Sequence, residues 1–169
     1  MPSQTPSLAS LLALAAVAFA APALAQAPST PRPAAPAAAT PCEVRISGND
    51  ALQFDLKTIT VSKKACPQFR VVLRHSGKLP KAAMGHNWVL TRTADVDAVA
   101  KDGVAAGLAN EYVKPRDPRV IAASRLVGGG ETTTVTVPTA RLDVGGDYMY
   151  VCTFPGHYAV MRGKFVVTP

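Results

Sequence analysis

Three side chains that bind soft metal ions lie within ten residues near the end of the chain. Cys152, His157 and Met161 offer a thiol, an imidazole and a thioether. The apolar, β-prone run 148–151 leads into the cysteine, and the Pro-Gly pair at 155–156 predicts a tight turn, because proline fixes φ and glycine accepts positive φ. A strand that ends in cysteine and turns sharply into histidine brings both side chains to one point. We hypothesise that a copper ion binds there.

A second histidine is needed to complete a trigonal His₂Cys set with a weak axial methionine, which is the arrangement of blue-copper electron-transfer sites. Of the three histidines in the chain, His86 is the best candidate, at the start of a predicted strand. Gly85 would let its own carbonyl approach the metal as a further weak axial contact. Asn87 can hydrogen-bond the Cys152 loop and hold it in place. His75 lies in an apolar run and is interpreted as a core histidine.

Short β-prone runs separated by glycine and proline turns predict an all-β fold. They lie at 43–47, 52–61, 69–76, 86–93, 120–123, 131–137, 147–152 and 164–168. Such a series is typical of a sandwich or barrel with Greek-key connections. The dense apolar run at 69–76 predicts a central strand, and the Thr/Val alternation at 131–137 predicts a half-exposed one. Residues 94–108, rich in alanine with valines near helical spacing, predict one helix outside the sheets.

The amino-terminal part of the chain predicts an exported protein. An apolar run at 8–20 precedes a small-x-small sequence ending at Ala25, so residues 1–25 are interpreted as a signal peptide cleaved near Ala25, with 18–20 as a second possible cleavage site. The run is shorter than the roughly 20 residues that span a bilayer. Residues 26–41 are nearly all Ala, Pro, Ser and Thr, which predicts a disordered linker. One domain remains at 42–169.

The three cysteines predict one disulfide and one free thiol in an oxidising compartment. Cys42 and Cys66 have no histidine or methionine near them, whereas Cys152 has both. The economical assignment is therefore a Cys42–Cys66 disulfide with Cys152 left as a metal-binding thiolate. Pairing of Cys152 with one of the others is the alternative, and it would leave the metal cluster inert.

The net charge of +7 comes from 18 Lys and Arg against 11 Asp and Glu. Export, and the lack of a Lys/Arg-rich run interleaved with aromatic residues, argue against nucleic acid as a partner. The charge instead indicates a partner with an acidic protein surface, attracted electrostatically. No second apolar run in the sequence is long enough to cross a membrane.

Three stretches resemble the azurin family, the bacterial periplasmic cupredoxins. They are Gly48-Asn49-Asp50, Met84-Gly85-His86-Asn87-Trp88 and Cys152-Thr153-Phe154-Pro155-Gly156-His157-Tyr158-Ala159-Val160-Met161. The Gly-His-Asn form separates azurins from plastocyanin-like relatives, which usually have proline before that histidine. The resemblance extends over 42–168. It implies an eight-stranded Greek-key β-sandwich in the periplasm, closed by the Cys42–Cys66 disulfide and carrying the helical insertion around 94–108.

The resemblance also implies one type 1 copper ion per chain. Its equatorial ligands would be His86, Cys152 and His157, with Met161 and the carbonyl of Gly85 as axial contacts. We expect three further residues to surround these ligands: Asn87, Thr153 and Phe154. The implied function is the transfer of single electrons by cycling between Cu(I) and Cu(II), without catalysis.

A hydrophobic surface patch, through which His157 would protrude, is implied as the contact with redox partners. Its positions in this chain are Leu52, Leu79, Met84, Val104, Phe154, Pro155, Gly156 and Ala159. The family suggests c-type cytochromes or periplasmic reductases as partners. A patch of this kind suits weak, quickly released complexes of a monomer.

Other functions would use only part of this residue set. A copper oxidase or nitrite reductase would need further copper ligands, and only His75 remains. A zinc hydrolase would need a general base, and a thiol enzyme would leave His86 and Met161 without a role. A non-metal adhesion sandwich leaves the cluster unexplained. The nearest alternative is a periplasmic copper carrier, because it would use the same ligands.

Overall fold

The computed structural model describes residues 42–169. The predicted signal peptide at 1–25 and the predicted linker at 26–41 lie outside these residues. Two β-sheets form the framework of the described chain. None of the helices in 42–169 has the length and apolarity that a transmembrane span requires.

Four strands form the first sheet, in the spatial order β2, β1, β4, β7. They are β1 (Glu43–Asn49), β2 (Gln53–Phe54), β4 (Phe69–His75) and β7 (Thr132–Val137). β1 and β4 run parallel, and the other pairs are antiparallel. The apolar strand β4 lies between β1 and β7, as predicted for a central strand. β7 lies at an edge, with exposed threonines alternating with buried valines.

Five strands form the second sheet, in the order β3, β9, β8, β5, β6. They are β3 (Thr58–Ser62), β5 (Val89–Arg92), β6 (Ala122–Ala123), β8 (Tyr148–Val151) and β9 (Arg162–Thr168). β3 and β9 are parallel, and the remaining pairs are antiparallel. Inward side chains of both sheets form one core, in which Trp88, Tyr150 and Phe165 are fully buried. The fold is thus the predicted β-sandwich.

One predicted strand is divided between the two sheets. The run 52–61 becomes β2, which pairs with β1, and β3, which pairs with β9. The chain changes sheet at 55–57, where the Tyr150 hydroxyl donates to the carbonyl of Leu56 at 2.8 Å. Residues 42–169 therefore contain nine strands, although eight β-prone runs can be read from the sequence.

A helical insertion packs on the outer face of the second sheet. The helix α2 (Val96–Ala106) buries Val96 and Val99 against Val89 of β5 and Val151 of β8. Short 3₁₀ turns flank it, and Gly107, with φ of 74°, ends it. The predicted helix around 94–108 is confirmed. The sequence did not predict the four-residue helix α1 (Lys81–Met84), which buries no side chain.

A disulfide joins the start of β1 to the segment before β4. It links Cys42 and Cys66, whose Cα atoms lie 5.3 Å apart. Cys152 is buried and free. The predicted pairing is confirmed, and the alternative that would have consumed Cys152 is excluded.

Candidate metal centre

His86 is held by its backbone and its ring. It lies between α1 and β5, and its N–H and carbonyl pair with Val127 at 2.9 and 2.8 Å. Its Nε2 lies 2.9 Å from the carbonyl oxygen of Asn49. Because a carbonyl only accepts hydrogen bonds, Nε2 carries the proton, and Nδ1 keeps a free lone pair. His86 therefore presents Nδ1 as a candidate metal ligand in a fixed orientation.

The loop after β8 is closed by backbone hydrogen bonds. The Cys152 N–H donates to the carbonyl of Met161 at 3.0 Å, and the Met161 N–H donates to the carbonyl of His157 at 2.8 Å. Within the loop, the His157 N–H donates to the carbonyl of Phe154 at 3.0 Å. Gly156 has φ of 81°, which explains the need for glycine at this turn. The loop has a defined shape that turns its donor groups inward.

Three donor atoms converge at this end of the sandwich. Those of His86, Cys152 and His157 all lie within 4.8 Å of one another, and all three residues are buried. Cys152 Sγ lies 3.9 Å from His86 Nδ1 and 3.5 Å from His157 Nδ1. The carbonyl oxygen of Gly85 is 3.9 Å from the same sulfur. These separations leave room for a single ion between the donors.

Met161 lies beside His86, at a place that Gly48 keeps open. A Cβ atom on Gly48 would stand 2.6 Å from Met161 Cε and 2.8 Å from His86 Cδ2. Gly48 was not among the residues predicted for the site. The strand predicted at 43–47 ended before Gly48, so the close approach of Met161 and His86 had no signal in the sequence.

Burial controls the protonation of the candidate ligands. It lowers the pKa of both His86 and His157 to about 4, with a further lowering by the neighbouring histidines. It raises the pKa of the Cys152 thiol to about 12, against the opposing effect of the backbone N–H groups of Asn87 and Phe154. At neutral pH both imidazoles have free lone pairs, and the thiol must release its proton to a metal.

Asn87 and Thr153 form a clamp between the two ligand-bearing segments. Asn87 Oδ1 accepts the Thr153 N–H at 2.8 Å, and Asn87 Nδ2 donates to Thr153 Oγ1 at 2.8 Å. Asn87 follows His86, and Thr153 follows Cys152, so the clamp fixes the two candidate ligands relative to each other. We call this pair the Asn87–Thr153 clamp.

His75 lies behind the donor cluster and is fully buried. Its ring stacks on His86 with centroids 4.1 Å apart and planes 13° apart. Both ring nitrogens are occupied, one by the carbonyl of Met84 at 2.8 Å and the other by the N–H of Gly77 at 3.0 Å. His75 is therefore a packing partner of His86, as interpreted from the sequence.

The residues expected to form a hydrophobic patch differ in exposure. Leu79 and Val104 are 42% and 41% exposed. Pro155, Gly156 and Ala159 are exposed as well, whereas Leu52 and Met84 are half-buried and Phe154 is buried. His157 is only 3% exposed, so it lies beneath this surface and does not protrude through it.

The fold and this donor set define a class of protein. A thiolate, two imidazoles and a thioether suit copper, and their arrangement on a rigid β-sandwich is that of type 1 copper electron-transfer proteins. The family model described as "Copper binding proteins, plastocyanin/azurin family" matches residues 40–168. The chain belongs to this family.

Individual relatives are azurins. The chain is 56% identical over 125 residues to the azurin of Bordetella pertussis (strain Tohama I), covering 74% of this chain and 83% of that protein. It is 57% identical over 122 residues to azurin-1 of Alcaligenes xylosoxydans xylosoxydans, covering 72% and 94%. A solved structure of the azurin Az-iso2 from Methylomonas sp. strain J superposes with a TM-score of 0.72 at 41% identity, covering 76% of this chain and 98% of that one.

The resemblance to azurins inferred from sequence is therefore confirmed, as are the cupredoxin fold and copper as cofactor. The chain is a type 1 copper electron-transfer protein with a His-Cys-His group for one copper ion. In residues 42–169 this is the only group of histidine, cysteine and acidic side chains that is arranged to hold a metal.

Proposed function

We propose that His86, Cys152 and His157 would hold the copper ion, with Met161 and the Gly85 carbonyl as weaker contacts. The convergence of the three donor atoms within 4.8 Å carries this assignment. Bound there, copper supplies one-electron chemistry because it alternates between Cu(I) and Cu(II). Soft sulfur ligands favour the first state, and imidazole supports both.

The protein's contribution is to keep the donors still while the charge changes. His86 is fixed by Asn49 and Val127, and Cys152 by Met161. A site that hardly moves between the two oxidation states needs little reorganisation for electron transfer. We therefore propose that the protein carries electrons and does not catalyse a reaction. The buried donors also disfavour rapid release of copper, as the carrier alternative would require.

We propose that electrons pass through the apolar surface above His157 to transiently bound partners. The exposed side chains of Leu79 and Val104 would supply part of this surface. Two basic residues, Arg162 and Lys164, are exposed on β9, and Arg162 directly follows Met161. Neither pairs with a carboxylate within 42–169. Partners with an acidic rim, such as c-type cytochromes or periplasmic reductases, fit this combination.

We also propose the division of the chain into a signal peptide (1–25), a linker (26–41) and a monomeric copper domain (42–169) in the periplasm. The start of the family match at residue 40, close to Cys42, supports the domain boundary. The Cys42–Cys66 disulfide supports an oxidising compartment.

Optical and EPR spectra of the copper-reconstituted protein test the ligand assignment. Thiolate-to-copper charge transfer should make the oxidised protein intensely blue, and Cys152→Ser should remove the colour while the far-UV circular dichroism stays unchanged. A colourless, EPR-silent, zinc-loaded protein after copper reconstitution would contradict the assignment. Fast electron self-exchange distinguishes an electron shuttle from a carrier, which would exchange slowly and pass copper to apo-acceptors.

A further inference from the structure

We propose that the helical insertion positions the thiolate ligand through two backbone carbonyls, and that Gly103 is the positioning residue that permits this contact. The inference rests on the ligand assignment proposed above. It gives α2 and the loop that follows it a role in the metal centre, although neither supplies a ligand.

The two carbonyls belong to consecutive residues of the loop after α2. The Glu111 carbonyl accepts a hydrogen bond from Asn87 Nδ2 at 2.9 Å, and the Tyr112 carbonyl accepts one from Thr153 Oγ1 at 2.7 Å. Each carbonyl therefore binds one half of the Asn87–Thr153 clamp. Because the clamp residues directly follow His86 and Cys152, a shift of the loop would be transmitted to both ligands.

An unusual backbone directs these carbonyls. Glu111 and Tyr112 have φ of 55° and 57°, in the left-handed region that residues other than glycine rarely adopt. Two such residues in succession persist only where surrounding contacts hold them. The Tyr112 N–H donates to the carbonyl of Gly107 at 3.1 Å, and the Tyr112 ring packs edge-on against Phe154 with centroids 5.1 Å apart. Tyr112 is thus held on one side by Gly107 at the end of α2 and on the other side by Phe154, in the loop after β8 that we call the copper loop.

Gly103 lies where α2 touches this loop. A Cβ atom at Gly103 would overlap the carbonyl oxygen of Tyr112 and come within 3.5 Å of Thr153 Cβ. Glycine in a helix interior is less favourable than alanine. No positive φ accounts for this glycine, so the close approach to Tyr112 explains it. Any side chain at this position would push away the carbonyl that holds Thr153.

Ion pairs fix α2 to the loop from the outside. Asp102, next to Gly103, accepts hydrogen bonds from Arg119 at 2.6 Å and from Lys114 at 3.0 Å. Arg119 also binds Asp117, whose side chain is 1% exposed. The helix therefore cannot easily move aside to accommodate a larger residue, and we expect the displacement to fall on Tyr112.

Amide hydrogen exchange on the copper(I)-loaded full chain tests the inference. Gly103→Ala should accelerate exchange of the Thr153 N–H at least tenfold, because its acceptor in the clamp becomes less well positioned. Lys101→Ala, an exposed change on the same helix, should leave that rate unchanged. Helix propensity alone predicts the opposite effect of Gly103→Ala, because replacing a glycine with alanine would stabilise α2 and slow the exchange. An unchanged Thr153 exchange rate in folded Gly103→Ala would overturn the inference.

The reduction potential gives a second readout. The backbone N–H groups of Asn87 and Phe154 donate to the Cys152 sulfur. We expect Gly103→Ala to weaken this donation, which should favour Cu(II) and lower the reduction potential of the variant. Thr153→Val, which removes the hydroxyl that reaches Tyr112, should lower it too, and the double variant should show less than the sum of the two shifts. Additive shifts would overturn the inference.

If Gly103→Ala does not fold, accelerated Thr153 exchange in Thr153→Val supports the inference and an unchanged rate overturns it.

The wild-type spectrum separates the two possible failures. Absence of the blue band would overturn the ligand assignment itself. A blue wild type in which these variants behave like Lys101→Ala would overturn only the role of the helical insertion.

Discussion

The methyl group of Met161 lies where a side chain of Gly48 would be, because a Cβ atom on that glycine would come within 2.6 Å of Met161 Cε. The strand β1 thus approaches the donor cluster without contributing a ligand to it. Because Gly48 has no side chain, Met161, the candidate axial ligand, can pack close to His86.

Gly48→Ala should disturb both neighbours. Overpacking of this kind costs about 1–3 kcal/mol, and the added methyl group should displace Met161 and change the EPR parameters of the copper protein. Urea unfolding and EPR measure the two effects. Ser47→Ala, on the outward side of the same strand, is the control and should change neither. A Gly48→Ala protein with wild-type stability and spectrum would show that the site has spare room.

Asn87→Ala should lower the free energy of unfolding by more than Asn110→Ala, which removes an exposed side-chain amide. It leaves the Thr153 N–H and the Glu111 carbonyl without their partner, which costs about 2–4 kcal/mol in a buried setting. Asn110→Ala removes an exposed amide that donates only to the Ala106 carbonyl, and it should cost less than about 1 kcal/mol. Urea unfolding measures both variants, and equal losses would contradict a special role for the clamp.

Acid should remove the contribution of Asp117 to stability. Hydrogen bonds from the Arg119 side chain lower the pKa of Asp117 to about 2, below its unfolded value of about 3.9. The contribution is fully present above pH 3.9 and is lost as the pH falls towards 2. The difference in unfolding midpoint between wild type and Asp117→Asn should therefore narrow between pH 4 and 2.

An Arg119→Gln background is the control for this prediction, since it removes the donor that lowers the pKa. In that background, the difference in unfolding midpoint caused by Asp117→Asn should change much less between pH 4 and 2. A wild-type difference that stays constant down to pH 2 would contradict the assignment of the pKa shift to this ion pair.

Charge reversal next to the copper loop should slow electron transfer to an acidic partner. Arg162→Glu should lower the second-order rate by a factor of about three to ten at low ionic strength and weaken its salt dependence. Arg141→Glu makes the same charge change at an exposed site in the 3₁₀ turn Thr139–Arg141. Stopped-flow kinetics compares the two at matched reduction potential. Equal slowing by both would indicate that only net charge matters.

The candidate ligands could be identified in the sequence because their chemistry is carried by side chains with few other uses. Cys152, His157 and Met161 lie in one short loop, and His86 lies between a glycine and an asparagine. The carbonyls of Glu111 and Tyr112 gave no such signal, because every residue has a carbonyl. Their left-handed backbone was equally hidden, since neither residue is glycine.

Three further features depended on the three-dimensional arrangement. The run 52–61 reads as one strand because its side chains alternate throughout, yet it serves two sheets. The depth of His157 depends on how the residues around it close over the ring. Gly103 was visible as a residue unsuited to a helix, but its partner Tyr112 follows from tertiary contact alone.

The place of β9 in the second sheet has a consequence for biosynthesis. β9 joins β3 to β8, so the five-stranded sheet remains in two pieces until residues 162–168 have been made. Three of the four candidate side-chain ligands, Cys152, His157 and Met161, lie directly before this strand. A growing chain therefore cannot assemble the donor cluster, or acquire its copper, until synthesis has passed β9.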